Sequence, residues 1–262
     1  MSFTQLSLSF ENGIARLIFN NPAKGNPIDA VLCAEICEAA IQLSENPDVR
    51  CVLVTAEGKS FSFGGDISSF VSDFDSLPSN IKRWTTTLHS GIARLQRMDA
   101  PIVAAVQGVC AGGMSAFVAG ADIVVAADNA KFVSAYAGIG YSNDAGSSIM
   151  YARRMGIART RKFLLMNEAL SADAALSAGL VDEVVSIDLL ESRAEAVALQ
   201  LASGPTKAFG EMRRLMTSVE DQPLETQLEL EAQALARVAA TADAREGLSA
   251  FAEKRTPIFK GR

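Results

Sequence analysis

The chain has one histidine, one tryptophan and four cysteines among 262 residues, and aromatic side chains make up only 6% of it. A single histidine, with cysteines at 33, 37, 51 and 110 that lack ligand spacing, leaves few ways to build a transition-metal site, and no metal is expected. The cysteines read instead as reduced, buried thiols. No stretch approaches about 18 uninterrupted apolar residues, so no membrane span is expected. The opening MSFTQLSLSF has neither the basic start nor the continuous apolar run of a signal peptide, and the expected location is the cytoplasm. The net charge is −6, with Lys and Arg scattered except near the C-terminus, which excludes an electrostatic footprint for nucleic acid or an acidic membrane. No G-x-G-x-x-G precedes a βαβ crossover, so no nicotinamide or flavin cofactor is implied.

What the chain does have is glycine in telling places. Residues 106–122, VQGVCAGGMSAFVAGAD, run from an apolar strand straight into Gly112 and Gly113 at the start of a helix. The first turn of a helix carries N–H groups that no helical carbonyl satisfies, and glycine lets a ligand approach them. Such donors, reinforced by the helix N-terminus, suit an oxygen that becomes negative during reaction. A second glycine turn, FSFGGDI at 61–67, follows the strand at 50–55, and Gly65 N–H is the natural second donor. Two such turns point to acyl chemistry. Taken singly, either glycine pair serves equally well as a tight turn or a close packing point.

The first half alternates strands, at 5–10, 14–19, 50–55, 102–106 and 123–126, with helices near 28–43, 80–97 and 114–120. That alternation predicts an α/β core. After about residue 145 β-signals thin out apart from 180–185, and helical periodicity covers 171–178, 189–202, 206–217, 224–238 and 242–253. The chain therefore divides into a core at 1–200 and a helical region at 201–262. Residues 73–79, with Pro78, read as a mobile loop. Asp66 and Asp122 read as structural, one capping a short helix and one steadying the return into the next strand.

NNPAKGNPID at 20–29, FSFGGDI, PIVAAVQG followed by VCAGGMSAFVAGAD, FVSAYAGIGYSNDAGSS at 132–148, LSADAALSAGLVDEVV at 170–185 and AFAEKRTPIF at 250–259 stand in an order that resembles the crotonase (enoyl-CoA hydratase/isomerase) superfamily from end to end. The resemblance implies a crotonase-like ββα spiral core with two sheets and a C-terminal helical region that forms a homotrimer, often a dimer of trimers. It implies an acyl-CoA thioester substrate, coenzyme A entering only as part of it, and an enolate whose oxygen rests on the N–H groups of Gly65 and Gly113.

Hydratases of the family use two glutamates, and the matching positions here hold Ala116 and Tyr136. Neither replaces a carboxylate, which argues against ordinary hydration. Asp144 stands where several double-bond isomerases of the family carry their working acid; one carboxylate suffices to move a proton between two carbons. Residue by residue, Asp144 is also a fair Asx-turn. With His89, it resembles the 4-chlorobenzoyl-CoA dehalogenase branch, in which the aspartate attacks an aryl ring and the histidine activates water. His89 otherwise reads as a half-buried histidine at the edge of the apolar face formed by Ile81, Trp84, Leu88, Ile92 and Leu95. A non-catalytic acyl-CoA binder is the third reading. Tyr136 either reaches the thioester with its hydroxyl or packs as a core ring; Phe70 and Trp84 stand between acyl tunnel and core, with core packing preferred for Trp84. For CoA, the resemblance implicates Ala23, Lys24 and Gly25, Ile67 beside the pantetheine, and Phe251 and Lys254 from the tail, often of a neighbouring subunit.

Overall fold

The computed structural model describes residues 3–262. In chain order it contains β1 (Leu6–Glu11), β2 (Ile14–Phe19), α1 (Ala30–Glu45), β3 (Cys51–Ala56), α2 (Ile67–Ser72), α3 (Leu77–Arg97), β4 (Ile102–Val106), β5 (Val109–Ala111), α4 (Gly112–Ala119), β6 (Ile123–Ala127) and β7 (Lys131–Val133). There follow α5 (Ser147–Met155), α6 (Ile157–Leu165), β8 (Ala169–Ser171), α7 (Ala172–Ser177), β9 (Glu183–Val185), α8 (Leu190–Ala202), α9 (Thr206–Ser218), α10 (Leu224–Ala239) and α11 (Ala242–Ala252). Short 3-10 turns at Pro22–Lys24, Ala137–Ile139 and Ile187–Leu189 complete the set.

The main sheet runs β1-β2-β3-β4-β6-β9, antiparallel only between β1 and β2. Its central strands are apolar on both faces because both are covered, as parallel sheets require. Leu17, Phe19, Val52, Val54, Ala104, Val106 and Val124 point into the larger core with α1 and α3. Their neighbours Ile14, Cys51, Leu53, Val103, Ala105 and Val125 point the other way, onto Leu190, Ala194 and Ala198 of α8. The pleat thus sorts alternate residues into two cores. Among the described residues no helix is long and apolar enough to cross a membrane.

A second, smaller sheet positions everything that follows. It runs β5-β7-β8, and parallel bridges Ser62↔Cys110 and Ile28↔Gly65 extend it towards the N-terminus. Residues 25–28, 61–65, β5 and β7 therefore lie side by side and in the same direction, and their carboxyl ends open together. In parallel sheets that end is where ligands collect.

Two expectations change. Leu77, Pro78 and Ser79 are not loop but the first turn of α3, where the missing N–H of a proline is no loss. The helix expected from residue 114 begins at Gly112, so both glycines lie within its first turn. Asp66 caps α2, its Oδ1 accepting the Ser68 N–H at 3.1 Å.

The C-terminal helices are tied to this core through Arg213 on α9. It donates to Asp122 Oδ1 at 2.9 Å and to the carbonyls of Leu95 and Ala100 at 3.0 Å each, and Met98 O accepts as well. Asp122 Oδ2 in turn accepts the Ile102 N–H at 2.7 Å at the start of β4. Removing the guanidinium leaves several buried acceptors unpaired, at a cost moderated because the Asp122 side chain is 31% exposed. Arg213→Ala is expected to lower stability by about 2–4 kcal/mol. Urea unfolding followed by circular dichroism measures it, and a change within about 0.5 kcal/mol, the range of an ordinary surface substitution, would contradict the assignment.

Candidate active site

A cavity of about 550 Å³ opens at the carboxyl ends of the second sheet, beneath α2 and α3. Gly64 and Gly65 line it from one turn and Gly112 and Gly113 from the next. The turns touch backbone to backbone: a Cβ on Gly64 would stand 3.1 Å from Ala111 O and 3.7 Å from Gly112 Cα. Both Gly64 (φ 89°) and Gly112 (φ 54°) are left-handed, a conformation that glycine adopts without strain.

The parallel bridge at Gly65 fixes where its N–H points. Gly64 O accepts from Ile28 N at 2.8 Å and Asp66 N donates to Ile28 O at 3.0 Å, so the pleat turns Gly65's own N–H away from residue 28. Among the described residues it has no acceptor. Gly113 N–H lies in the first turn of α4, beyond the reach of intrahelical carbonyls, and has no backbone acceptor either. Two free donors thus border one cavity.

The loops that hold them are pinned by two residues that sequence reasoning passed over. Asn26 is buried and left-handed (φ 50°); its amide accepts from Asn21 N and donates to Glu57 O and Phe61 O, each at 2.8–3.0 Å. Ser62 Oγ donates to Asn26 O at 2.7 Å and accepts Gly64 N at 3.1 Å. The only advance signal was the Asn26-Pro27 pair, a turn marker.

Asp144 enters the cavity beside Gly113: its Oδ1 lies 3.4 Å from where a Cβ of that glycine would be. Tyr136, after the end of β7, donates its hydroxyl to the same Oδ1 at 2.8 Å. Burial first, and then the Asp144 charge, push the Tyr136 hydroxyl well above the usual tyrosine range, so it remains a donor. Asp144 Oδ2 has no donor among the described residues. The residues flanking this pair, Ala135 (φ 61°) and Ala145 (φ 52°), are left-handed without being glycine. Such strain persists only where the surroundings hold it. His89 does part of that holding: its Nε2 accepts the Ala145 N–H at 3.1 Å. His89 is itself exposed and is not among the cavity-lining residues.

Asp29 and Cys33 also line the cavity. Both Asp29 oxygens are engaged, by Leu32 N and Gln5 Nε2 at 2.8 Å each, as the cap of α1. Burial, aided by Asp29 and Asp144, pushes the Cys33 thiol up to about 12, which keeps it protonated at neutral pH. Phe70 and Trp84 both line the cavity, and Trp84, partly buried, also packs against the main core as expected, so it serves core and cavity wall together. Tyr141 joins them, a ring the sequence reading did not single out.

The family model described as enoyl-CoA hydratase/isomerase matches residues 9–262. The chain belongs to the enoyl-CoA hydratase/isomerase family. It is 33% identical to the 1,2-epoxyphenylacetyl-CoA isomerase of Escherichia coli K12, over 96% of this chain and 97% of that one. It is 32% identical to a 4-chlorobenzoyl coenzyme A dehalogenase of Arthrobacter sp, over 87% of this chain and 83% of the relative. The crystal structure of an enoyl-CoA hydratase from Polaromonas sp. JS666 superposes with a TM-score of 0.91 at 30% identity, covering 97% of this chain and 99% of the other. The fold is accordingly the crotonase fold.

Within that family frame, the CoA-side residues scatter. Ala23 and Lys24 are exposed on the 3-10 turn, while Gly25 is buried against Phe63, a cavity residue. Ile67, 48% exposed, borders the cavity itself. Phe251 and Lys254 are exposed at the end of α11 and do not reach the cavity of their own chain. Arg255, part of the same basic tail, is taken up by Glu246 and Glu253 at 2.6 Å each.

Tyr136→Phe removes one hydrogen bond to a charged oxygen, an interaction of about 1.5–3 kcal/mol. Turnover of a CoA thioester is expected to fall by roughly 10- to 100-fold with the fold intact by circular dichroism. Unchanged kcat would contradict a role for the hydroxyl in holding Asp144.

Proposed function

We propose that the protein isomerises a carbon–carbon double bond in an acyl-CoA thioester through an enolate held by Gly65 and Gly113 N–H, with Asp144 moving the proton. The observation that carries this reading is one carboxylate with one free oxygen beside the two free backbone donors. The free Oδ2 of Asp144 takes a proton from the carbon next to the thioester carbonyl. Charge then spreads over the dienolate, whose oxygen the two N–H groups stabilise, and the same carboxyl returns the proton to the far carbon of the conjugated system. Atoms balance without water or cofactor. Water addition needs a second acid or base, and the hydratase positions hold a buried Ala116 and a Tyr136 hydroxyl that stays protonated.

The dehalogenase-like reading, with Asp144 as nucleophile and His89 activating water, has less support. The Nε2 lone pair that would take the water's proton is already accepting the Ala145 N–H, outside the cavity lining. A purely binding role leaves the strained, hydrogen-bonded placement of Asp144 without a purpose.

We further infer a homotrimer, or a dimer of trimers, assembled through residues 201–262. Leu224, Leu228, Leu235, Leu248 and Ile258 are more than half exposed and Phe251 is 86% exposed, an apolar surface that association would cover. A neighbouring copy would also supply Phe251 and Lys254 to a CoA site that they do not reach within one chain.

Mixing the protein with 3-enoyl-CoA thioesters and following the ultraviolet absorbance of the conjugated 2-enoyl product tests the proposal. Wild type is expected to generate conjugation, and Asp144→Asn to lose at least about 100-fold in rate. Loss of 2-enoyl absorbance through hydration, or full activity in Asp144→Asn, would overturn it.

A further inference from the structure

Where the acyl group starts is set by Gly65. A Cβ on that glycine would lie 3.0 Å from Cζ of Phe70 and 3.2 Å from its Cε2. An acyl group whose carbonyl oxygen rests on Gly65 N–H therefore begins beside the Phe70 ring. That ring is the middle of a ladder. Trp84 lies on one flank, with centroids 6.2 Å apart and planes at 16°, and Tyr141 is stacked at 6.0 Å and 16°. The three come from α2, from α3 and from the loop after the 3-10 turn at Ala137–Ile139, and all three line the cavity.

We propose that the substrate is an unsaturated acyl thioester carrying an uncharged aryl group whose ring extends this ladder, with Phe70, Trp84 and Tyr141 setting the specificity. The assignment rests on the acyl-thioester reading above and narrows it. Near-parallel rings present flat faces, and a flat ligand gains offset stacking in addition to apolar burial. A saturated chain gains the burial alone. Among the described residues the lining includes the carboxylates of Asp29 and Asp144 and no Lys, Arg or His, so an acyl group ending in a second carboxylate meets like charge without a counter-ion. A quaternary ammonium calls for rings converging around it as a cage, whereas these are nearly parallel.

Trp84 is the sole tryptophan of the chain, so its emission reports on this wall directly. Phenylacetyl-CoA, hexanoyl-CoA, glutaryl-CoA and free CoA are titrated against the intact protein, with tryptophan fluorescence and calorimetry read together. Phenylacetyl-CoA is expected to bind several-fold, up to about tenfold, more tightly than hexanoyl-CoA. Glutaryl-CoA is expected to be weaker than both. Phe70→Leu should bring the phenylacetyl to hexanoyl ratio towards one while hexanoyl-CoA still binds, and that binding shows the variant to be folded. Equal or tighter binding of hexanoyl-CoA by the wild type, or a ratio unchanged in Phe70→Leu, overturns the assignment. If Phe70→Leu binds nothing, Tyr141→Leu carries the same comparison, and an unchanged ratio there also overturns it. Failure of every thioester to bind the wild type overturns the acyl-thioester reading itself, a result distinct from binding without aryl preference.

Discussion

The contact on which the site depends is a backbone approach between two turns, with no side chain between them. Gly64 and Gly112 sit in left-handed conformations at the carboxyl ends of adjacent parallel segments, and the space a Cβ on Gly64 would occupy is already bounded by Ala111 O. Because the two turns meet, the unpaired N–H groups of the residues that follow, Gly65 and Gly113, border the same cavity. A helix N-terminus stands behind one of them. Preorganised donors of this kind stabilise developing negative charge without reorganising at the moment of reaction. The small sheet exists, in effect, to bring those ends into line, and Asn26 and Ser62 lock its first two segments together.

Around that donor pair the structure concentrates strain and charge on one residue. Asp144 is fixed by a hydroxyl that cannot ionise near neutrality, is flanked by a left-handed alanine, and is followed by an N–H held by His89. Its remaining oxygen has no donor among the described residues, while both oxygens of the other cavity carboxylate, Asp29, are taken up, one capping α1 and one accepting from Gln5. The thiol nearby is held protonated by burial and by the two carboxylates. One proton acceptor is thereby singled out in the cavity, and His89 serves the geometry of the loop in this conformation.

Much of the fold was legible because the main sheet is long and buried on both sides. The run at 14–19 is observed as Ile14–Phe19 and that at 102–106 as Ile102–Val106, since continuous apolar stretches between turns leave little else for the chain to do. The glycine turns and Asp144 were legible from motif order. The second sheet was not: Val109–Ala111, Lys131–Val133 and Ala169–Ser171 are three residues each, too short to show a period. Pro78 reads as a loop residue until the first turn of a helix absorbs it. The aromatic ladder joins residues 70, 84 and 141 from three elements, and nothing local announces that they stack. The exposure of Leu224, Leu228 and Leu235 on α10 and of Leu248 and Phe251 on α11 is likewise visible only once burial is known.

The central claim is that Gly65 and Gly113 N–H together hold the thioester oxygen. A crystal structure with a non-reactive acyl-CoA analogue, a thioether-free ketone in place of the thioester, tests it most directly. The account predicts the analogue's carbonyl oxygen at about 2.7–3.1 Å from both nitrogens, with Asp144 facing the adjacent carbon. A carbonyl bound away from these two donors, with either N–H left to solvent, would contradict it.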